Sequence, residues 1–359
     1  MAATTRIALA ACLASGCFAP VGNGGVTSSG TGSVTGSGTD TGSGEISGTS
    51  NETDTPTTGE PSQCSWRSLD LISGPPARSE HSMVYDSHND QVILFGGSVN
   101  NTDRNDLWTF DGSQWTEIKN AAPPSERRAH AATYDPIRRV MVVFGGVTGQ
   151  NDTLQPLGDT YLYDPKLNTW QNATPSKAPA PRYGASMAFY TGNALLFGGN
   201  LDPSTTDSEH WSWDSFNWTL LEATNNTRPD PRSRHMAAPG PDGKLLLYGG
   251  CKEGSLCVLN TPTHAYNDTW SWDGVQWKLL FETAGDGQLG AMALQSKNNR
   301  LYRFDKQDTY LWNDGTWSAP QPSDLISGPF FAVADHSTGL IRFGGNIANQ
   351  NTWVLDCPP

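Results

Sequence analysis

The chain has 359 residues, of which 36% are hydrophobic and 16% charged, with 38 Gly, 24 Pro and 13 Trp. This length allows a large core, and the Gly, Pro and Trp content without long helical periodicities points to many short strands and tight turns. With 23 Lys and Arg against 36 Asp and Glu, the net charge of −13 repels phosphate backbones and argues against nucleic acid as a partner.

In chain order, residues 1–17 read as an export signal, with a short start bearing Arg6 and an apolar run from Ile7 to Ser15 that is too short to span a bilayer. Its end, Leu13-Ala14-Ser15-Gly16-Cys17, resembles a bacterial lipoprotein cleavage box, except that Ala14 stands where that family places Leu, Val or Ile. Cys17 is the expected lipidated residue. Leu9-Ala10-Ala11-Cys12 is a second candidate box with a shorter apolar run before it, and a cleaved signal in a secreted protein is the other reading. Residues 18–63 are rich in Gly, Ser and Thr and poor in apolar side chains, so a flexible tether is expected there. From residue 64 to 359 the pattern is that of a folded domain.

That domain is repetitive. The block from Arg78 to Ile118 opens with Arg78-x-x-His81, continues through an apolar run ending Phe95-Gly96-Gly97, and closes with Asp106, Trp108 and Trp115. Gly-Gly pairs recur at 145–146, 198–199, 249–250 and 344–345, and aromatic pairs at Tyr161/Trp170, Trp211/Trp218, Trp270/Trp277 and Tyr310/Trp317. Leu301 to Asp305 is the strand of a copy that lost both glycines. The period of about 50 residues and these markers resemble the kelch repeat, which implies an all-β, six-bladed β-propeller with one four-stranded sheet per repeat.

The sixth copy ends after Trp353 with one strand missing, and Trp66 has no three strands ahead of it. The segment around Trp66 is therefore expected to complete the last blade. The repetition of Asp70-Leu-Ile-Ser-Gly-Pro75 at 324–329, five repeats later, supports that alignment. Closure of this kind brings Cys64 beside Cys357, and a disulfide there would contribute ~3–5 kcal/mol. Cys251 and Cys257 would form a local clip, with Cys64–Cys251 as the alternative pairing.

Alternating strand directions place the connections between second and third strands on one face, as loops at 98–104, 147–158, 200–208 and 251–266. The inner strands start on the same face, with Arg78, His81, Arg127, His130, Arg182, Arg232 and His235 around the channel mouth. Two readings stay open. These residues could receive an anionic ligand such as a carboxylate or acidic sugar, or they could hold the fold by binding backbone carbonyls and Asp106, Asp159, Asp268 and Asp308. The histidines sit in blades one, two and four, too far apart for one metal ion, and no cofactor or metal is expected.

Kelch propellers also form the central domain of galactose oxidase-like enzymes, whose copper site needs a cysteine-linked tyrosine and two histidines. Here the mature cysteines are assigned to disulfides, and His88 and His336 fall on the opposite face. The expectation is a monomeric binding module for a protein or glycan, lipid-anchored at the bacterial outer membrane or cell surface, with no catalytic residues assigned. An oxidase or carbohydrate-processing enzyme acting at the channel mouth is the alternative.

Overall fold

The chain divides into two units, Met1–Ser62 and Gln63–Pro359. The computed structural model describes residues 64–119, 122–150, 153–224, 227–252, 264–283, 289–305, 308–322, 331–345 and 351–356, all in the second unit. The expected signal and tether, Cys12, Cys17, Cys257, Cys357 and the second copy of the Asp70–Pro75 sequence lie outside the described residues.

Six antiparallel sheets follow one another around a ring. Blade one is Ser82–Asp86, Gln91–Val99, Thr102–Phe110 and Trp115–Ile118; blade two is Ala131–Asp135, Val140–Thr148, Gln155–Asp164 and Thr169–Asn172. Blade three is Ser186–Tyr190, Asn193–Phe197, His210–Trp213 and Trp218–Leu221; blade four is Met236–Pro239, Leu245–Tyr248, Asp268–Trp272 and Trp277–Glu282. Blade five is Ala291–Gln295, Arg300–Phe304, Asp308–Asn313 and Thr316–Trp317, with Gln321–Pro322 also paired to its third strand. Blade six takes Phe331–Ala334, Leu340–Gly344 and Thr352–Asp356 from the C-terminal end and Ser65–Leu69 as its outer strand. Ser65 lies opposite Asp356 and Trp66 opposite Leu355, so the ring is joined by a ladder between the two ends of the domain.

Both faces of each sheet are buried, because second-strand residues such as Val92 and Leu94 point to one neighbour and Ile93 and Phe95 to the other. Six buried clusters result, one in each gap between blades. Outer-strand tryptophans pin three of those gaps. Trp115 Nε1 donates to Thr352 Oγ1 at 2.7 Å, Trp218 Nε1 to Thr160 Oγ1 at 2.9 Å and Trp317 Nε1 to Thr269 Oγ1 at 3.1 Å, each reaching the third strand of the preceding blade. The indole thus fills the widening outer gap while its polar edge is satisfied.

Two of the expected loops are strands instead. Val99 pairs with Thr102, and Thr148 with Gln155, so the second and third strands of blades one and two run on past their Gly-Gly pairs. Asn100 and Asn101 both take positive φ, 48° and 60°, the conformation of a two-residue hairpin turn that Asn tolerates. The Gly-Gly pairs have a steric cause. A Cβ on Gly96, Gly145, Gly198 or Gly344 would stand 2.5–2.8 Å from the carbonyl oxygen of an arginine in the following blade.

The cost of those contacts can be separated from the cost of positive φ. Gly146 (φ 101°) would place a Cβ 2.9 Å from Arg128 O and 2.9 Å from His130 Cβ, whereas Gly274 (φ 100°) has open space. Gly146→Ala is therefore expected to cost ~3–5 kcal/mol in urea unfolding, against ~1–2 for Gly274→Ala.

Candidate functional site

The inner strands begin at the mouth of the central channel with the sequence Arg-x-x-His or its remnants. The side chains of Arg78, Arg127, Arg182 and Arg232 are almost wholly buried. Each guanidinium turns away from the channel into its own blade. Arg78 donates to Gly96 O at 2.9 Å and, with two nitrogens, to the Asp106 carboxylate at 2.7 and 2.7 Å. Arg127 does the same with Gly145 O at 3.0 Å and Asp159 at 2.6 and 2.9 Å. Arg232 binds Gly249 O at 2.9 Å and Asp268 at 2.6 and 2.8 Å. Arg182 binds Gly198 O at 3.2 Å and divides its charge between Asp207 (3.0 Å) and Glu209 (2.8 Å).

The arginine backbone links blades. Gly97, Gly146, Gly199 and Gly345 donate their N–H to the carbonyls of Arg127, Arg182, Arg232 and Arg78, at 2.9, 2.9, 2.8 and 3.1 Å. These four arginines therefore offer no open charge to a ligand. Asp308, the fourth acid of the expected set, has no such arginine in its blade, and its N–H donates to Asp305 Oδ1.

The histidines behave similarly. His130 Nε2 bonds Ser82 Oγ at 2.7 Å and His235 Nε2 bonds Ser186 Oγ at 2.6 Å, each joining a blade to its predecessor. Burial, followed by the charge of Arg127, pulls the His130 pKa down to about 3. Burial and the adjacent arginine likewise hold His81 and His235 well below the ordinary imidazole value. Burial alone takes His210, between blades three and four, down to about 3. Among the described residues no group of three or more His, Cys, Asp or Glu could hold a metal ion. On the opposite face His336 Nε2 contacts Asp90 O at 3.1 Å and His88 Nε2 contacts Arg139 Nη1 at 2.9 Å.

What does face the mouth is the third residue of each Arg-x-x-His segment, which sequence reasoning passed over. Glu80, Ala129, Gly184 and Arg234 all have positive φ (56°, 51°, 66° and 56°). They form a chain of backbone hydrogen bonds, Ala129 N to Glu80 O at 2.8 Å, Gly184 N to Ala129 O at 2.7 Å and Arg234 N to Gly184 O at 2.6 Å. Arg234 of blade four bridges to Glu80 of blade one, which lies diametrically across the ring. Glu80 also meets Arg128 at 3.2 Å, and Arg128 meets Asp103 at 2.6 Å. Burial pushes the Glu80 carboxyl up, but Arg234 and Arg128 together outweigh it and keep it ionised. Beside this bridge is a cavity of about 190 Å³, lined on one side by Glu80, the three histidines and Arg234 and on the other by Leu289 and Phe331. The two positive and two negative side chains of this cluster, Arg128, Arg234, Glu80 and Asp103, bring no net charge to the mouth.

Blades five and six lack the inner arginine and bury one in the second strand instead. Arg303 lies 3.8 Å from the ring centres of both Tyr248 and Tyr310. Arg342 lies 3.8 Å from that of Phe331, and burial pulls its pKa down to about 10. A cation over an aromatic face replaces the carboxylate pairing of the other blades. The signal was a single Arg in an apolar strand, at the position of Leu94, Val143, Leu196 and Leu247.

The family described as the KLHDC2/KLHL20/DRC7 Kelch-repeats domain matches residues 43–200 and 113–279. The chain belongs to the kelch-repeat family. It is 29% identical over 233 residues to Adagio-like protein 1 of Oryza sativa subsp. japonica, covering 60% of this chain and 36% of that protein. Similarity to Adagio protein 3 of Arabidopsis thaliana is 26% over 235 residues, covering 57% and 37%. Multiple epidermal growth factor-like domains protein 8 of Homo sapiens is 31% identical over 109 residues, covering 29% and 4%. The matched kelch region therefore spans little more than a third of the Adagio-type relatives.

The buried histidines give this kelch domain a pH dependence with a defined sign. Their folded pKa values lie below the ordinary 6.5, so the unfolded chain binds more protons as pH falls. Stability should be lost from about pH 6.5 downward, by up to ~1.4 kcal/mol per pH unit for each histidine. Urea midpoints between pH 7.5 and 5 should fall less steeply for His130→Gln/His235→Gln than for the parent; equal slopes would contradict this account.

Proposed function

We propose that this kelch propeller is an exported, lipid-anchored envelope protein that binds a protein partner on its loop face as a monomer. Kelch propellers generally bind proteins, which supports the class of partner. The observation that carries the choice of surface is the set of raised connections in blades one to three. Blades one and two raise hairpins past Val99 and Thr148. In blade three the Asp202 carboxylate accepts the N–H groups of Ser204 and Thr205 at 2.8 and 2.9 Å, fixing a projecting turn. In blade four Cys251 bridges to Ala265 at the base of a longer connection. The raised connections of blades one to three stand together on one side of the mouth, a shape against which a polypeptide segment can lie. The positions free to vary are at the hairpin tips, since the blade frame uses up the arginines below them.

The anchor reading rests on the sequence around Cys17, with Cys12 as the alternative. Export fits disulfides at Cys64–Cys357 and Cys251–Cys257, and the ladder that ends at Ser65 opposite Asp356 supports the first pairing.

Replacement of Asn100-Asn101 and Pro203-Ser204 by Gly-Ser pairs tests the surface, read by chemical cross-linking in the envelope fraction beside a Cys17→Ala chain. The expected result is a protein adduct lost in the tip variant, with the Cys17→Ala chain released from membranes. An adduct unchanged by the tip replacements would contradict the binding surface, and a Cys17→Ala chain that stays membrane-bound would contradict Cys17 as the anchor.

A further inference from the structure

One level of the channel wall is built from equivalent positions of all six blades, and those positions are filled unequally. In each blade the residue paired with the last aromatic of the second strand follows one that lines the channel: His81, His130, Ala185, His235, Gly290 and Phe331 in blades one to six. All six border the cavity of about 190 Å³ beside the Glu80–Arg234 bridge. Three imidazoles and a phenyl ring stand at this level, whereas blades three and five supply only Ala185 and Gly290. A Cβ on Gly290 would collide with Phe304 O, so no larger residue fits there. The cavity is the space that these two small residues leave inside the ring.

The three imidazoles are not equally satisfied. His130 and His235 each bond a serine of the preceding blade through Nε2, Ser82 at 2.7 Å and Ser186 at 2.6 Å. For His81 the preceding blade is the sixth, and the residue equivalent to Ser82 is Ala332, opposite Phe343 as Ser82 is opposite Phe95. Ala332 packs in the gap between blades six and one and offers no hydroxyl. Neither ring nitrogen of His81 has a hydrogen-bond partner, and the residue is only 8% exposed. A neutral imidazole carries one N–H and one acceptor nitrogen, so either tautomer leaves a buried donor unmet. Phe331, next to Ala332, stands beside this imidazole in the ring, and Leu289 extends the apolar wall.

Charge, hydrogen bonding and volume together select the ligand. Glu80 and Arg234 are the charged lining residues and are bridged to each other, so an ion entering the cavity meets no unpaired countercharge and loses its hydration. The imidazole of His81 calls for a group that accepts and donates, as a hydroxyl does. Phe331 and Leu289 call for an apolar body. The volume suits a single substituted ring, since a cavity of ~150 Å³ admits benzene. We propose that the channel cavity binds a neutral single-ring alcohol or phenol, with its hydroxyl on His81 in the role that serines play for His130 and His235, and its ring against Phe331 and Leu289 over Ala185. This site is independent of any partner on the raised loops.

The test is isothermal titration calorimetry on the full chain with benzyl alcohol, set beside benzoate, benzylammonium and toluene. Benzyl alcohol should bind saturably, toluene several-fold more weakly for want of the hydroxyl, and the two ions weaker by about tenfold or more. Ala332→Ser gives His81 the partner that Ser82 gives His130. It should raise the melting temperature and weaken benzyl alcohol binding several-fold, because the hydroxyl then competes for a nitrogen already met. Ala185→Leu, which fills the open side of the ring, should abolish the binding heat. Absence of saturable heat with benzyl alcohol, toluene or either ion binding as well as the alcohol, or unchanged affinity in the Ala332→Ser chain would overturn the proposal. The Ala332→Ser result decides this even if the Ala185→Leu chain does not fold.

Discussion

The propeller depends on a buried guanidinium fork in each of four blades. An arginine taken out of water is costly unless its donors are met, and a lone buried charge loses several kcal/mol. Here Arg78, Arg127, Arg182 and Arg232 each meet a carboxylate on or just before the third strand and a glycine carbonyl at the end of the second, while their own carbonyls accept an N–H from the preceding blade. One residue therefore ties three strands of one blade to the next. The geometry sets the demand for glycine, since the arginine carbonyl passes where a Cβ would otherwise be. It also decides which side chains remain for recognition, because a cation spent on the frame leaves none at the channel.

That division of labour organises the loop face. The centre of the mouth is spanned by the Glu80–Arg234 bridge and a chain of three backbone hydrogen bonds across blades one to four, and the net charge of the cluster is zero. Neutral imidazoles pack against the Gly-Gly pairs and stiffen the inner strands. Rigidity beneath and variability above is the arrangement that allows loops to be exchanged without loss of the core.

The repeat was legible because its markers are fixed by local sterics. Gly-Gly pairs, paired aromatics and an unmatched Trp66 give the count of six repeats and a shared last one, and the resemblance to the kelch repeat turns each repeat into a four-stranded sheet. The hairpin at Asn100-Asn101 was not legible as such, since a polar run of this kind reads as loop until both residues are seen in the left-handed region. The destination of the arginines was undecided because the inner strand starts where channel and sheet meet, and either direction suits the spacing. Glu80 and Arg234 are 154 residues apart, and no local pattern announces a bridge across the ring. Arg303 and Arg342 did leave a signal, a charge inside an apolar strand, but a cation held by aromatic faces has no fixed sequence partner to reveal it.

The most direct test of the frame is a double-mutant cycle on Arg127 and Asp159, read by urea unfolding at pH 7.5. Arg127→Met should cost ~3–5 kcal/mol, and Arg127→Met/Asp159→Leu should recover part of that loss, since the second change removes the stranded carboxylate. A single Arg127→Met change within ~0.5 kcal/mol of the parent, with strictly additive effects, would contradict the structural role and return the arginine ring to the list of ligand sites.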